Sequence, residues 1–135
     1  MTALRLRRSA TGPLAVLIAL PLAACGSGSS SSGGSTEAGV AAAGPADAQT
    51  ITVDSTDDLD FVPEVIEAKV GTLTITLGNS GQVSHNLVFD DPARPAIGTV
   101  TGGKSLSATY TFDTPGTYTF VCTFHNGMDG KVVVS

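Results

Sequence analysis

From Ile51 onward apolar and polar residues alternate. Leu73, Ile75 and Leu77 interleave with Thr72, Thr74 and Thr76, the period-two pattern of a strand with one face buried. Gly78 to Gly81 then reads as a turn, and Val83, His85, Leu87 and Phe89 share one parity in the next run. His85 is therefore expected to point the same way as its apolar neighbours. Asp91 to Gly103 carries Pro92, Pro95, Gly98, Gly102 and Gly103 and reads as a long connection. Leu106, Ala108, Tyr110 and Phe112 alternate again, the turn Asp113 to Gly116 follows, and Tyr118, Phe120 and Cys122 share a parity. Lys131 to Ser135 supplies a short last strand. Few stretches look helical. Short strands with regular turn signals predict an all-β fold, a small Greek-key β-sandwich or barrel over residues 50–135.

The first 49 residues have a different texture. Residues 1–24 contain Arg5, Arg7 and Arg8, then an apolar run from Leu14 to Leu22, and no acidic residue. A basic start followed by an apolar stretch too short to span a bilayer comfortably predicts a secretory leader. It ends in Leu22-Ala23-Ala24-Cys25, which resembles the lipobox of bacterial lipoproteins, where the leader is cut before a cysteine that is then acylated. An ordinary signal peptide containing a cysteine is the plainer alternative. From Gly26 to Gln49 the chain is mostly Gly, Ser, Ala and Thr with no aromatic residue, too little apolar surface to fold by burial. Residues 25–49 are therefore expected to be the lipidated cysteine and a flexible tether with a reach of roughly 25 to 30 Å. The resulting expectation is an exported protein held by Cys25 at the outer face of the cytoplasmic membrane, on the extracellular or periplasmic side.

Charge narrows the partners. The whole chain is formally −5, and removing the leader leaves four basic residues against twelve acidic ones, formally −8. Nucleic acid is excluded as an expected partner, because phosphate binding needs clustered Lys and Arg. Asp54, Asp57, Asp58, Asp60, Glu64 and Glu67 form an acidic run. Such a run is more often a solvated face than a docking patch.

The cysteines sharpen the picture. If Cys25 is lipidated, Cys122 is left as a lone thiol in an exported protein, where disulfides are favoured. Metal ligation accounts for it; a buried inert cysteine or an intermolecular bridge are the alternatives. After the leader, His85 and His125 are the only histidines and Met128 is the only methionine. Cys122, His125 and Met128 lie within one short segment, Cys122-Thr123-Phe124-His125-Asn126-Gly127-Met128. A trigonal set of two imidazoles and a thiolate with a weak axial thioether is the blue-copper arrangement. Taken singly, His85 is more often a hydrogen-bonded core residue and Met128 a gap filler. Their convergence with Cys122 and His125 predicts one type 1 copper ion. Zinc is an adventitious alternative for the same donors.

On these residues the chain resembles the cupredoxins, in particular the plastocyanin and amicyanin group. The matching text is Ser84-His85-Asn86-Leu87-Val88-Phe89, and Pro115-Gly116-Thr117-Tyr118-Thr119-Phe120-Val121-Cys122 through Met128 to Gly130-Lys131-Val132-Val133-Val134. Phe61-Val62-Pro63 and Val70-Gly71-Thr72 also look like the family's N-terminal strands. The two-residue gap between His125 and Met128 is similar to amicyanins. The resemblance implies that Asn86 ties its strand to the ligand loop with Thr123 as partner, that Ser84 stands at a supporting position often held by proline, and that His125 is the surface-nearest ligand. Phe124 departs from the family, which often has proline between the cysteine and the histidine.

The function expected is single-electron transfer with transient redox partner proteins, by a monomer. No small-molecule substrate is expected, and no nucleophile with a base or phosphate loop is evident, so a carrier is expected rather than an enzyme. Copper delivery or storage at the cell surface is the alternative, and a metal-free binding lipoprotein is a third reading.

Overall fold

The computed structural model describes residues 38–135. These residues form ten strands and no helix: β1 Val40–Ala41, β2 Gln49–Ser55, β3 Phe61–Val62, β4 Val65–Ala68, β5 Gly71–Asn79, β6 His85–Phe89, β7 Ile97–Val100, β8 Ser105–Phe112, β9 Gly116–Val121 and β10 Asp129–Val134. One sheet has the order β1-β4-β10-β9-β6-β7 and the other β3-β2-β5-β8. The parallel pairs β2/β5 and β4/β10 join strands that are not neighbours in sequence, which makes the topology that of a Greek-key sandwich. The all-β expectation holds.

Alternation builds the core. Leu73, Ile75 and Leu77 of β5 are fully buried while the intervening threonines are only half-buried. They meet Leu87 and Phe89 of β6, Phe120 of β9 and Val132 and Val134 of β10 in one apolar cluster. On the outer face, Thr74 and Thr109 share a hydrogen bond of 2.9 Å, and Thr76 and Ser107 one of 2.8 Å. These cross-strand contacts lock the β5/β8 register.

The structure departs from the sequence reading in four places. Residues 38–49, expected as tether, are folded: β1 pairs with β4, the Ala42 N–H donates to Glu67 O at 2.8 Å, and Ala43 and Thr50 exchange backbone bonds. Backbone pairing at a sheet edge needs no apolar side chain, so composition does not report it. The expected leader, Cys25 and the tether up to residue 37 lie outside the described residues. Val83 does not join the buried parity of β6; it is 42% exposed because it sits in the turn before the strand. The long connection from Asp91 to Gly103 contains β7, whose Ile97 and Val100 are buried beside β6. The last strand begins at Asp129 rather than Lys131.

Strand directions decide where chemistry collects. The start of β6, the end of β9 and the start of β10 all lie at one end of the sandwich. The ends of β2 and β5 lie side by side, the Ser80 N–H donating to Ser55 O at 3.2 Å, and β5 passes through the short turn at residues 80–84 into the start of β6 at the same end.

Candidate metal centre

At that end β9 runs out at Val121 and β10 begins at Asp129, and the connection between them is drawn tight. The Cys122 N–H donates to Met128 O at 2.9 Å, the His125 N–H to Cys122 O at 3.4 Å, and the Met128 N–H to His125 O at 3.4 Å. Gly127 completes the loop at φ +81°, a conformation glycine adopts without a Cβ penalty. Just after the loop, Gly130 lets β10 cross the Phe120 ring: a Cβ there would lie 2.5 Å from ring carbons and 2.8 Å from Glu64 O.

The loop brings three of the predicted residues to the place where β6 delivers the fourth. Cys122 and Met128 are buried at 3% and 1% exposure, His85 is fully buried, and His125 is half-buried. Cys122 Sγ lies 3.8 Å from His85 Nδ1 and 3.4 Å from His125 Nδ1. The ligand atoms of these three residues all lie within 4.8 Å of one another. The two imidazole rings lie 4.8 Å apart between centroids, tilted by 53°.

This spacing tests the fit of a metal. Bonds of about 2.0 Å to imidazole and about 2.3 Å to thiolate set nitrogen and sulfur about 3.7 Å apart at a trigonal angle. The two sulfur–nitrogen distances bracket that value. Both rings also turn Nδ1 toward the sulfur, so neither nitrogen is spent on a protein acceptor elsewhere. The donor chemistry, two imidazoles and a thiolate with a buried thioether on the same loop, fits one copper ion held as a type 1 site.

Electrostatics keep His85 ready as a ligand. Its pKa is held below the ordinary histidine value, first by burial and then by the neighbouring His125; the Asp57 and Asp54 carboxylates and the Thr56 backbone oppose this in part. The imidazole is therefore neutral at neutral pH, with a lone pair to give. Its Nε2 is buried without a formed hydrogen bond among the described residues.

Support for the ligands comes from Asn86 and Thr123. Asn86 Nδ2 donates to Thr123 Oγ1 at 2.8 Å, and the Thr123 N–H donates to Asn86 Oδ1 at 2.8 Å. This reciprocal pair joins the residue after one ligand to the residue after another. Ser84 lies half-buried in the turn before His85 and takes no part in that bridge. Phe124 is 50% exposed beside His125, with ring centroids 6.4 Å apart.

Two residues that the sequence reading missed also shape the site. Asn79, buried, donates through Nδ2 to Val83 O at 2.7 Å and Val100 O at 2.9 Å, and accepts from the Gly81 N–H at 2.9 Å. Asp57 reaches the same turn from the opposite side. An Asn–Ser–Gly stretch signals a turn, which marks Asn79 in the sequence, but nothing local marks Asp57.

Comparison with known proteins agrees with this geometry. The family model described as a cupredoxin-like domain matches residues 15–134. The chain belongs to the cupredoxin-like domain family. It is 38% identical over 102 residues to a chloroplastic plastocyanin of Physcomitrium patens, a match covering 67% of this chain and 60% of that protein. A chloroplastic plastocyanin of Hordeum vulgare is 37% identical over 87 residues, covering 57% and 56%. The cupredoxin thus spans less than two thirds of the length of these curated relatives. Among solved structures, dithionite-reduced auracyanin from Roseiflexus castenholzii is similar at TM-score 0.55 and 25% identity, covering 64% of this chain and 96% of that one. A reduced amicyanin variant with a proline replaced by phenylalanine is similar at TM-score 0.53 and 32% identity, covering 64% and 82%.

Proposed function

We propose that this cupredoxin is a single-electron carrier, working through one type 1 copper ion at the outer face of a membrane. The carrying observation is the convergence of His85 Nδ1, Cys122 Sγ and His125 Nδ1 within 4.8 Å of one another on a fold that buries two of them. When bound, copper supplies a one-electron couple between its cupric and cuprous forms. The residues of the chain hold that couple in place. His85 and Cys122 are set by the ends of β6 and β9, Asn86 and Thr123 lock the two segments together, and the surrounding core excludes water. Supported from both sides, the ligands need to shift little between oxidation states. His125 is the ligand nearest the surface and serves as the electron port. Exposed Phe124 gives a transient redox partner an apolar contact beside it.

Nothing in the donor set calls for a transformed substrate, so the reading is a carrier and not an enzyme. The surface location and the monomeric state belong to this proposal. The location rests on the basic, apolar leader and the Leu22–Cys25 text, which support export and acylation at Cys25. The test is to add Cu(II) to the purified full chain and record visible and EPR spectra. An intense blue band with narrow copper hyperfine splitting is expected, followed by reversible one-electron reduction. A colourless Cu(II) complex with the wide splitting of square-planar copper would refute the reading. Labelling with a radioactive fatty acid in a bacterial host tests the anchor: incorporation lost in Cys25→Ala is expected, and an unlabelled parent rejects it.

A further inference from the structure

We propose that Asp57 is a positioning residue for the metal ligand His85, its carboxylate clamping the turn that delivers the ligand and its charge favouring the oxidised ion. The inference rests on the copper reading above and extends it to a residue far from the ligand motifs in sequence.

The turn from Ser80 to Ser84 leads directly into His85, the first residue of β6. Its stretch Ser80-Gly81-Gln82-Val83, exposed except at Gly81, has no bulky buried side chain to hold it. Two flanking side chains do that instead. Asn79 braces it from the core side through Gly81 and Val83. From the solvent side Asp57 Oδ1 accepts from the Gln82 N–H at 2.7 Å and from the Val83 N–H at 3.1 Å. Two adjacent amides converging on one carboxylate oxygen are charge-assisted bonds, stronger than neutral ones. They fix the backbone two residues from the ligand.

The surroundings are shaped to keep Asp57 there. A Cβ on Gly81 would lie 2.2 Å from Asp57 Oδ1, so the close approach requires glycine at that position. Asp57 sits in a loop closed by the Thr56 N–H donating to Asp60 O at 3.2 Å and the Leu59 N–H donating to Thr56 O at 3.1 Å. Leu59 completes that loop at φ +65°, a left-handed conformation that a side-chain-bearing residue seldom adopts. A half-exposed leucine in that region persists where the surrounding contacts over-determine it. Here the contacts are those that present Asp57 to the turn. Gly102 packs on the other side, where a Cβ would meet Gly81 O at 2.6 Å.

The same carboxylate acts on the ligand through space as well as through the backbone. It is among the charges felt by the His85 ring. A negative group near a metal stabilises the more highly charged oxidation state. Asp57 is solvent-exposed, so screening makes this effect modest. Geometry and charge therefore predict separable consequences.

Asp57→Asn and Asp57→Ala in the copper-loaded full chain separate them. Both variants are expected to raise the reduction potential, because both remove the charge. Asp57→Ala alone is expected to release copper to a chelator about tenfold faster and to broaden the Cu(II) EPR lines, as loss of support around a ligand does. Asp57→Asn keeps an acceptor oxygen and should release copper at the parent rate. A parent potential and parent release rate in Asp57→Ala would overturn the inference, even with a lower melting temperature, since that result makes Asp57 a turn cap and nothing more. If Asp57→Ala does not fold, an unchanged potential in Asp57→Asn overturns it equally. The unsubstituted chain is the control: failure of its blue band defeats the copper reading itself, whereas a normal parent with unaltered variants defeats only the role of Asp57.

Discussion

Two sets of polar side chains, one near each end of the sandwich, are partnered in opposite ways. At the end away from the metal ligands, Gln49 and Arg94 find partners within the chain. Buried Gln49 accepts from the Lys69 N–H at 2.7 Å and donates to Lys69 O at 2.9 Å and Ala46 O at 3.2 Å. Arg94 donates to Thr111 O at 3.0 Å, lies 3.4 Å from an Asp91 carboxylate oxygen, and spreads its guanidinium 4.4 Å from the Phe112 ring centre and 4.6 Å from that of Tyr118. At the other end, two imidazoles and a thiol turn their donor atoms toward one another and leave them free for a cation. Buried polar groups are costly unless paired. The contrast therefore separates side chains whose partners are internal from a ligand set whose partner is external.

The most drastic way to break the contrast is Cys122→Ser. Without the thiolate the blue absorption should vanish completely in Cu(II)-treated protein, checked by visible spectroscopy. The opposite end should be untouched, which its denaturation behaviour reports. Next comes Gln49→Ala, which removes the partly buried hydrogen bonds to Lys69 and Ala46 and should cost roughly 1–3 kcal/mol in urea denaturation. Its copper EPR spectrum should match the parent's, because the loss is confined to the far end. A spectrum altered in Gln49→Ala would show that the two ends are coupled. Asn86→Ala sharpens the comparison from the metal side. It removes both halves of the bridge to Thr123 and should weaken copper binding about 10–100-fold, measured by chelator competition.

The smallest effect at neutral pH is expected from Tyr110→Phe. The Tyr110 hydroxyl is buried with no hydrogen-bond partner among the described residues, so its removal should be neutral or slightly stabilising. Its effect appears in alkali. Burial pushes the Tyr110 pKa up to about 12, against a smaller opposing pull from Arg94. The folded state therefore keeps a proton that the unfolded chain releases from about pH 10. Tyr110 thus contributes stability that is present below pH 10 and lost as pH rises toward 12. Tyr110→Phe should flatten that part of the stability curve in thermal melts taken across this range.

Much of the site was legible because its chemistry is rare in the chain. After the leader there are two histidines and one methionine, and each falls in the same constellation with Cys122. Strands β5, β6, β8 and β9 were legible because a half-buried strand imposes alternation on its residues. Strand β1 was hidden because it is two residues long and pairs through its backbone. Strand β7 was hidden by the prolines and glycines around it. Asp57, Asn79 and Gln49 looked like ordinary polar residues. Their roles arise from backbone groups 20 or more residues away, Asp57 meeting Gln82 and Val83, Asn79 meeting Val100, and Gln49 meeting Lys69.

By itself the amino-acid order determined the fold class and the identity of the donors, because alternation and ligand chemistry are carried by residue type and short spacing. Only the tertiary structure decided how the donors are oriented, how deeply each is buried, and what braces the turn before His85. Those outcomes depend on which distant backbone amides and carbonyls come to face a given side chain, and the pairing of the strands together with the loops between them settles that.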